Sequence, residues 1–176
     1  KRAIKAKIIE IMRSLEGSER ERRAYQRMKQ MGADLKNQEL YRSVLFDICV
    51  QEGEASLKRQ RYQEASEAYK EALTLRPNDL NTSLQEVWSL FLGNPRDEQI
   101  FNRSKKRLID LVMQMPSSPL PPLFLARIHR LYGDLTTAEQ YLRKVLEISP
   151  NHTEAQAELR LLFNRDFDKK KRKVRA

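Results

Sequence analysis

The sequence is poor in the residues that carry most site chemistry. Of its 176 residues only one is a cysteine, Cys49. A single thiol can form neither an internal disulfide nor a cysteine-based zinc site, and the cytoplasm is the simplest compartment for such a chain. The two histidines, His129 and His152, do not stand at metal-ligand spacing, and each reads as structural. Five glycines are scattered, so no glycine-rich loop is present to cradle a phosphate. Serines and carboxylates are plentiful, but scattered residues do not make a Ser/His/Asp arrangement. No apolar run approaches the ~18–20 residues of a membrane span. The opening stretch KRAIKAKIIEIMRSLEG is too charged and amphipathic for a signal peptide. The chain is therefore expected to be non-enzymatic, without a catalytic site, metal or cofactor.

Charge is abundant but unevenly placed. The formal net charge is +10. Residues 1–45 carry 12 basic and 6 acidic groups, residues 46–150 carry 14 of each, and residues 151–176 carry 8 and 4. The body is neutral and both ends are basic. An apolar fraction of 40% and a mean hydropathy of −0.72 describe a polar chain. Such a chain can still fold as an elongated array, in which each unit packs only on its neighbours.

A stretch that occurs twice organises the body. RYQEASEAYKEALTLRPND, residues 61–79, recurs as DLTTAEQYLRKVLEISPNH, residues 134–152. Tyr62, Ala65, Tyr69, Ala72 and Pro77 align with Leu135, Ala138, Leu142, Val145 and Pro150, each 73 residues further on. A third proline, Pro116, lies 39 residues after Pro77 and 34 before Pro150. Recurrence at about 34 residues is the signature of a helical repeat array. With Gly53, Ala65, Tyr69, Ala72 and Pro77 at the family's positions 8, 20, 24, 27 and 32, residues 46–79 resemble a tetratricopeptide repeat. The resemblance implies an all-α helix–turn–helix solenoid with about three repeats, at 46–79, 80–118 and 119–152 within residues 37–150. A C-terminal capping helix over 151–168 follows the third repeat.

The remaining segments are read around that frame. Residues 1–36 read as amphipathic helices, with Ile4, Ile8, Ile11 and Leu15 on one stripe. AKIIEIMRSLEGSERERRAY resembles the last part of a J-domain, although the His-Pro-Asp tripeptide is absent. In the middle repeat, Leu84, Val87, Trp88 and Phe91 fit core spacing if the unit starts near Asn81. Trp88 is then expected opposite Ser104, pushing the two helices apart, with most of the five extra residues in the Gly93–Gln99 turn. The cluster Arg103-Lys105-Lys106-Arg107 reads as a solvated face. The proline-rich stretch 115–122 reads as an inter-repeat loop running into a helix N-terminus, where proline is tolerated.

In this family, function lives on a groove lined by the first helix of each repeat. The resemblance places Val50, Glu54 and Leu57, then Gln85, Ser89 and Leu92, then Leu123, Arg127 and Arg130 on it. The groove is expected to be acidic at one end and basic at the other, and to hold a peptide or helix of another protein. Chaperone-binding members clamp a terminal carboxylate with Lys, Arg and Asn. The matching positions here hold Val50, Glu54, Glu86, Leu120 and Phe124, which implies no binding to heat-shock chaperone C-termini. A protein-interaction scaffold or adaptor is the expected function.

Two alternatives come from the ends. Lys169, Lys170, Lys171, Arg172 and Lys173 begin a basic tail, 169–176, with the form of a nuclear-import signal or a nucleic-acid or anionic-surface contact. No aromatic residue is interleaved there, so base stacking is not supported. Residues 1–35 could self-associate, or belong to a fragment of a J-domain-containing co-chaperone.

Overall fold

The structure is a computed structural model that describes residues 38–162, and within them all side chains except those of 38–41 and 44. The described residues contain seven α-helices and no strand. They are α1 (Gln38–Lys58), α2 (Tyr62–Leu75), α3 (Leu80–Gly93), α4 (Glu98–Gln114), α5 (Leu120–Leu131), α6 (Leu135–Ile148) and α7, which is described over residues 153–162. Each packs mainly on the helices beside it in sequence. The arrangement is an all-α helical-repeat solenoid. The amphipathic segment 1–36 and the tail Lys169–Lys173 lie outside the described residues, as does the end of the expected capping helix.

The recurring prolines do one job. Each follows a helix as the second residue of a tight turn. The turns are closed by Asp79 N–H to Arg76 O, Ser118 N–H to Met115 O and His152 N–H to Ser149 O, at 3.0–3.2 Å. Pro77, Pro116 and Pro150 thus take the place where a fixed φ is pre-set for the turn. Pro95 stands in the same place in a fourth turn, Asn94–Asp97. Helices restart at once on side-chain caps. Asp79 accepts from Thr82 N–H, Asp97 from Gln99 and Ile100 N–H, and Asp134 from Thr137 N–H. These caps satisfy donors that the first helical turn leaves unpaired. Gly133, between α5 and α6, has a φ of 82°, the left-handed conformation that glycine adopts without strain.

Small residues set how closely paired helices approach. A Cβ on Gly53 of α1 would stand 2.6 Å from the ring of Tyr69 on α2. Glycine there is what lets the ring lie in the seam. Cys49, Phe46 and Ala72 continue that seam. In the third unit Ala126, Ala138 and Leu142 fill the equivalent place, with Leu123, Val145, Ala155 and Leu162.

The middle unit departs from the sequence expectation. Its first helix starts at Leu80, immediately after the Asp79 cap, rather than near Asn81. Val87, not Trp88, faces Ser104 across the α3–α4 seam. Trp88 turns toward the next unit and stacks on Phe124 of α5, with ring centroids 4.5 Å apart and planes 16° apart. The extra residues do not gather in the turn. Helix α4 has 17 residues against 14 in each of α2 and α6. The largest apolar cluster lies here, built on Leu84, Phe91, Leu108, Leu111, Leu125 and Ile128, all essentially inaccessible. Each such leucine contributes roughly 1.5–3 kcal/mol by leaving water.

Candidate interaction surfaces

Side chains of alternate helices meet directly, so α3, α5 and α7 form one layer. Trp88 of α3 reaches Phe124 of α5. Arg127 of α5 reaches α7, with Nε donating to Glu158 Oε1 and Nη2 donating to Glu154 Oε2, both at 2.7 Å. Arg130 Nε adds an ion pair to Glu158 Oε2 at 3.6 Å. These are the first helices of their units, the layer expected to carry the groove.

The expected groove residues fall into three groups. Glu54 is exposed, and Val50, Leu57, Gln85 and Leu92 are half-buried. These can meet a partner. Arg127 and Arg130 are half-buried and already answered by Glu154 and Glu158. That end is therefore not a free basic surface, because α7 supplies the counter-charge. Leu123 and Ser89 are corrections. Leu123 is 1% exposed in the core with Ala126 and Leu142. Ser89 is 0% exposed, and its hydroxyl donates to Gln85 O at 2.7 Å. Neither offers a group to a partner, since Leu123 packs in the core and the Ser89 hydroxyl is bonded within α3. The one-residue shift in the middle unit accounts for Ser89 and brings Trp88 into the vacated place.

Trp88 is the residue that sequence reasoning assigned to the wrong face. It remains half-buried, with ring centroids of Phe91 at 6.0 Å and Phe124 at 4.5 Å. The N-cap position of α3 could have given the register. Counted from Leu80, the residue that faces the carboxylate-clamp position of the family is Gln85 rather than Glu86. The clamp remains incomplete, with Val50, Glu54, Leu120 and Phe124 at its other positions.

Both histidines sit in helix-capping arrangements. His129 Nδ1 donates to Asp134 Oδ2 at 3.0 Å, and its ring packs near Phe101 and Tyr141. The Asp134 carboxyl is held below the usual range, first by hydrogen bonds from Thr137 and then by His129. His152 Nδ1 accepts from Ala155 N–H at the start of α7. Tyr69 is 1% exposed and its hydroxyl has no hydrogen-bond partner. Burial, then the charge of Glu54, pushes it up to about 12. Among the described residues, no group of three or more His, Cys, Asp and Glu is placed to hold a metal. No helix among them is long and apolar enough to cross a membrane.

Comparison with known proteins gives a consistent family. Profiles of the tetratricopeptide repeat match residues 46–79 and 123–152. No curated protein sequence matches the chain. Among solved structures, MamA 41-end from Desulfovibrio magneticus RS-1 is similar, with TM-score 0.64, 18% identity, and coverage of 97% of this chain and 87% of that one. The first TPR of Spaghetti (RPAP3), bound to the HSP90 peptide SRMEEVD, gives 0.57 at 19%, covering 68% and 93%. The Arabidopsis OM64 TPR domain gives 0.59 at 14%, covering 70% and 98%.

Proposed function

We propose that this chain, a tetratricopeptide-repeat protein, is a docking module that holds a segment of another protein along its layer of first helices. The observation that carries the reading is the Trp88–Phe124 stack. A half-buried tryptophan stacked on Phe124 presents its remaining apolar surface at little entropic cost. Leu92 packs in the same cluster as Trp88, and repeat position puts Val50, Leu57 and the exposed Glu54 on the α1 part of the same layer. Arg127 and Arg130 add little net charge, since Glu154 and Glu158 neutralise them. The partner that fits is apolar at its centre and not strongly acidic. A scaffold or adaptor is the role such a module would play. The lone buried thiol of Cys49 suits a reducing compartment such as the cytoplasm.

The RPAP3 structure carries the HSP90 peptide SRMEEVD. Here a terminal carboxylate would meet Val50, Glu54, Gln85, Leu120 and Phe124, none of them a cation. The peptide SRMEEVD should therefore give no saturable binding in a titration, and a salt-sensitive affinity would overturn the groove chemistry. Trp88 is the only tryptophan in the sequence. Its emission therefore reports on this surface alone. Addition of a true partner segment should shift or quench that emission. Trp88→Ala should weaken the partner by about tenfold or more, as loss of an aromatic anchor does. Tight binding with unchanged emission would place the partner elsewhere.

A further inference from the structure

The middle unit opens where its neighbours close. In the first unit the ring of Tyr69 fills the seam against Gly53. In the third unit Ala126, Ala138 and Leu142 fill it. In the middle unit Trp88 has left the seam for α5, and Val87 and Ser104 are too small to replace it. A cleft of about 300 Å³ remains between α3 and α4. Val87 and Leu90 form its apolar wall. Arg103, Lys106 and Arg107 line it from α4, with Glu86 and Asp110.

Two features show that this cleft is not satisfied by the chain itself. Ser104 lies in its lining, is 1% exposed, and its Oγ has no hydrogen-bond partner. A buried hydroxyl left without a partner is costly. Arg103, Lys106 and Arg107 stand at spacings of three and four, on one face of α4, where like charges repel. Among the described residues neither Arg103 nor Lys106 is in an ion pair, and Arg107 reaches only the hydroxyl of Ser83, at 3.5 Å. Glu86 lies beside them, without a salt bridge among the described residues. Burial raises its carboxyl above the usual range, against the pull of Arg103, Lys70 and Arg107.

We propose that the α3–α4 cleft is a binding site for a single phosphoryl group, received by Arg103, Lys106, Arg107 and the Ser104 hydroxyl. Four donors around one small space suit an anion with several oxygens, and guanidinium groups match phosphate geometry. Three cations against Glu86 and Asp110 leave one net positive charge. That is enough for one anionic group and too little for a nucleic-acid backbone, which needs an extended basic track. The site is separate from the Trp88 surface and does not depend on it. Arg103, Lys106 and Arg107 are exposed, as a solvated basic face requires, and border the cleft at its mouth.

The test uses the full chain labelled with ¹⁵N and titrated with inorganic phosphate at constant ionic strength. Saturable amide shifts should appear at residues 83–87 and 103–107. They should weaken about tenfold in Arg103→Gln/Arg107→Gln, as loss of charged hydrogen bonds predicts, and persist in the control Lys144→Gln. Ser104→Ala should act with opposite signs, raising the melting temperature of the free protein and weakening phosphate binding. A serine-phosphorylated peptide and its unphosphorylated twin form the second arm. Tighter binding of the phosphopeptide than of phosphate assigns the group to a protein partner, and equal binding assigns it to a free anion. Absence of saturable shifts at tens of millimolar phosphate would overturn the site. Shifts that survive in the double variant would overturn it equally.

Discussion

At the residue scale the structure turns on a few exchanges of volume. Gly53 and Tyr69 are one such exchange, since any Cβ on residue 53 meets the ring at 2.6–2.8 Å. Gly53→Ala should therefore destabilise the fold by roughly 1–3 kcal/mol, the usual cost of overpacking a core. Denaturant unfolding measures this, and an unchanged midpoint would show that the ring can move aside. Tyr69 offers a second test. Its hydroxyl is buried without a partner and its pKa is raised to about 12 from 10.0. Between those values the unfolded chain has lost the proton while the folded chain keeps it. Stability should thus be full below about pH 10 and fall as pH rises toward 12. Tyr69→Phe should remove that part of the alkaline decline and leave neutral-pH stability unchanged or higher. Gly53 and Tyr69 could be picked from the sequence by family position. That one ring occupies the space over the other residue could not, because it depends on how far apart the backbones lie.

At the element scale the helices begin and end where local chemistry says they should. Asp134 caps α6 through Thr137 N–H and also holds His129. Asp134→Ala should cost about 1 kcal/mol, the typical value of an N-cap. It should also flatten the loss of stability in acid. The Asp134 carboxyl is lowered in the folded state, so its contribution is present above the ordinary aspartate range and is lost as pH falls through the folded value. Thermal melts of both proteins from neutral to acid pH would show it, and parallel curves would rule the cap out as a contributor. The prolines and the α2–α6 correspondence were legible because each depends on residues close in sequence. The middle unit was less so. A one-residue offset in α3 exchanges Val87 for Trp88 at the seam, and apolar spacing fits both registers. The Asp79 cap and the contact of Trp88 with Phe124, 36 residues away, decide between them.

At the scale of the whole molecule, the order of units is a repeat array and its irregularity is concentrated in one place. The first and third units match a family profile, and the middle one supplies both the aromatic platform and the cationic cleft. The groove was half legible. Its first-helix positions follow from the repeat, but the pairing of Arg127 and Arg130 with Glu154 and Glu158 cancels the charge expected at that end. That pairing joins side chains 27–31 residues apart, and no local pattern announces it. Neutral at that end and apolar around Trp88, the first-helix layer is the surface on which a partner is expected to lie.

Site-specific photo-crosslinking tests that claim most directly. A photoreactive residue at Glu54, Leu92 or Leu131 samples the first-helix layer, and one at Thr74 or Lys144 samples the second helices. A partner segment should crosslink from the first set and not from the second. Crosslinks from Thr74 or Lys144 alone, or equally from both sets, would contradict it.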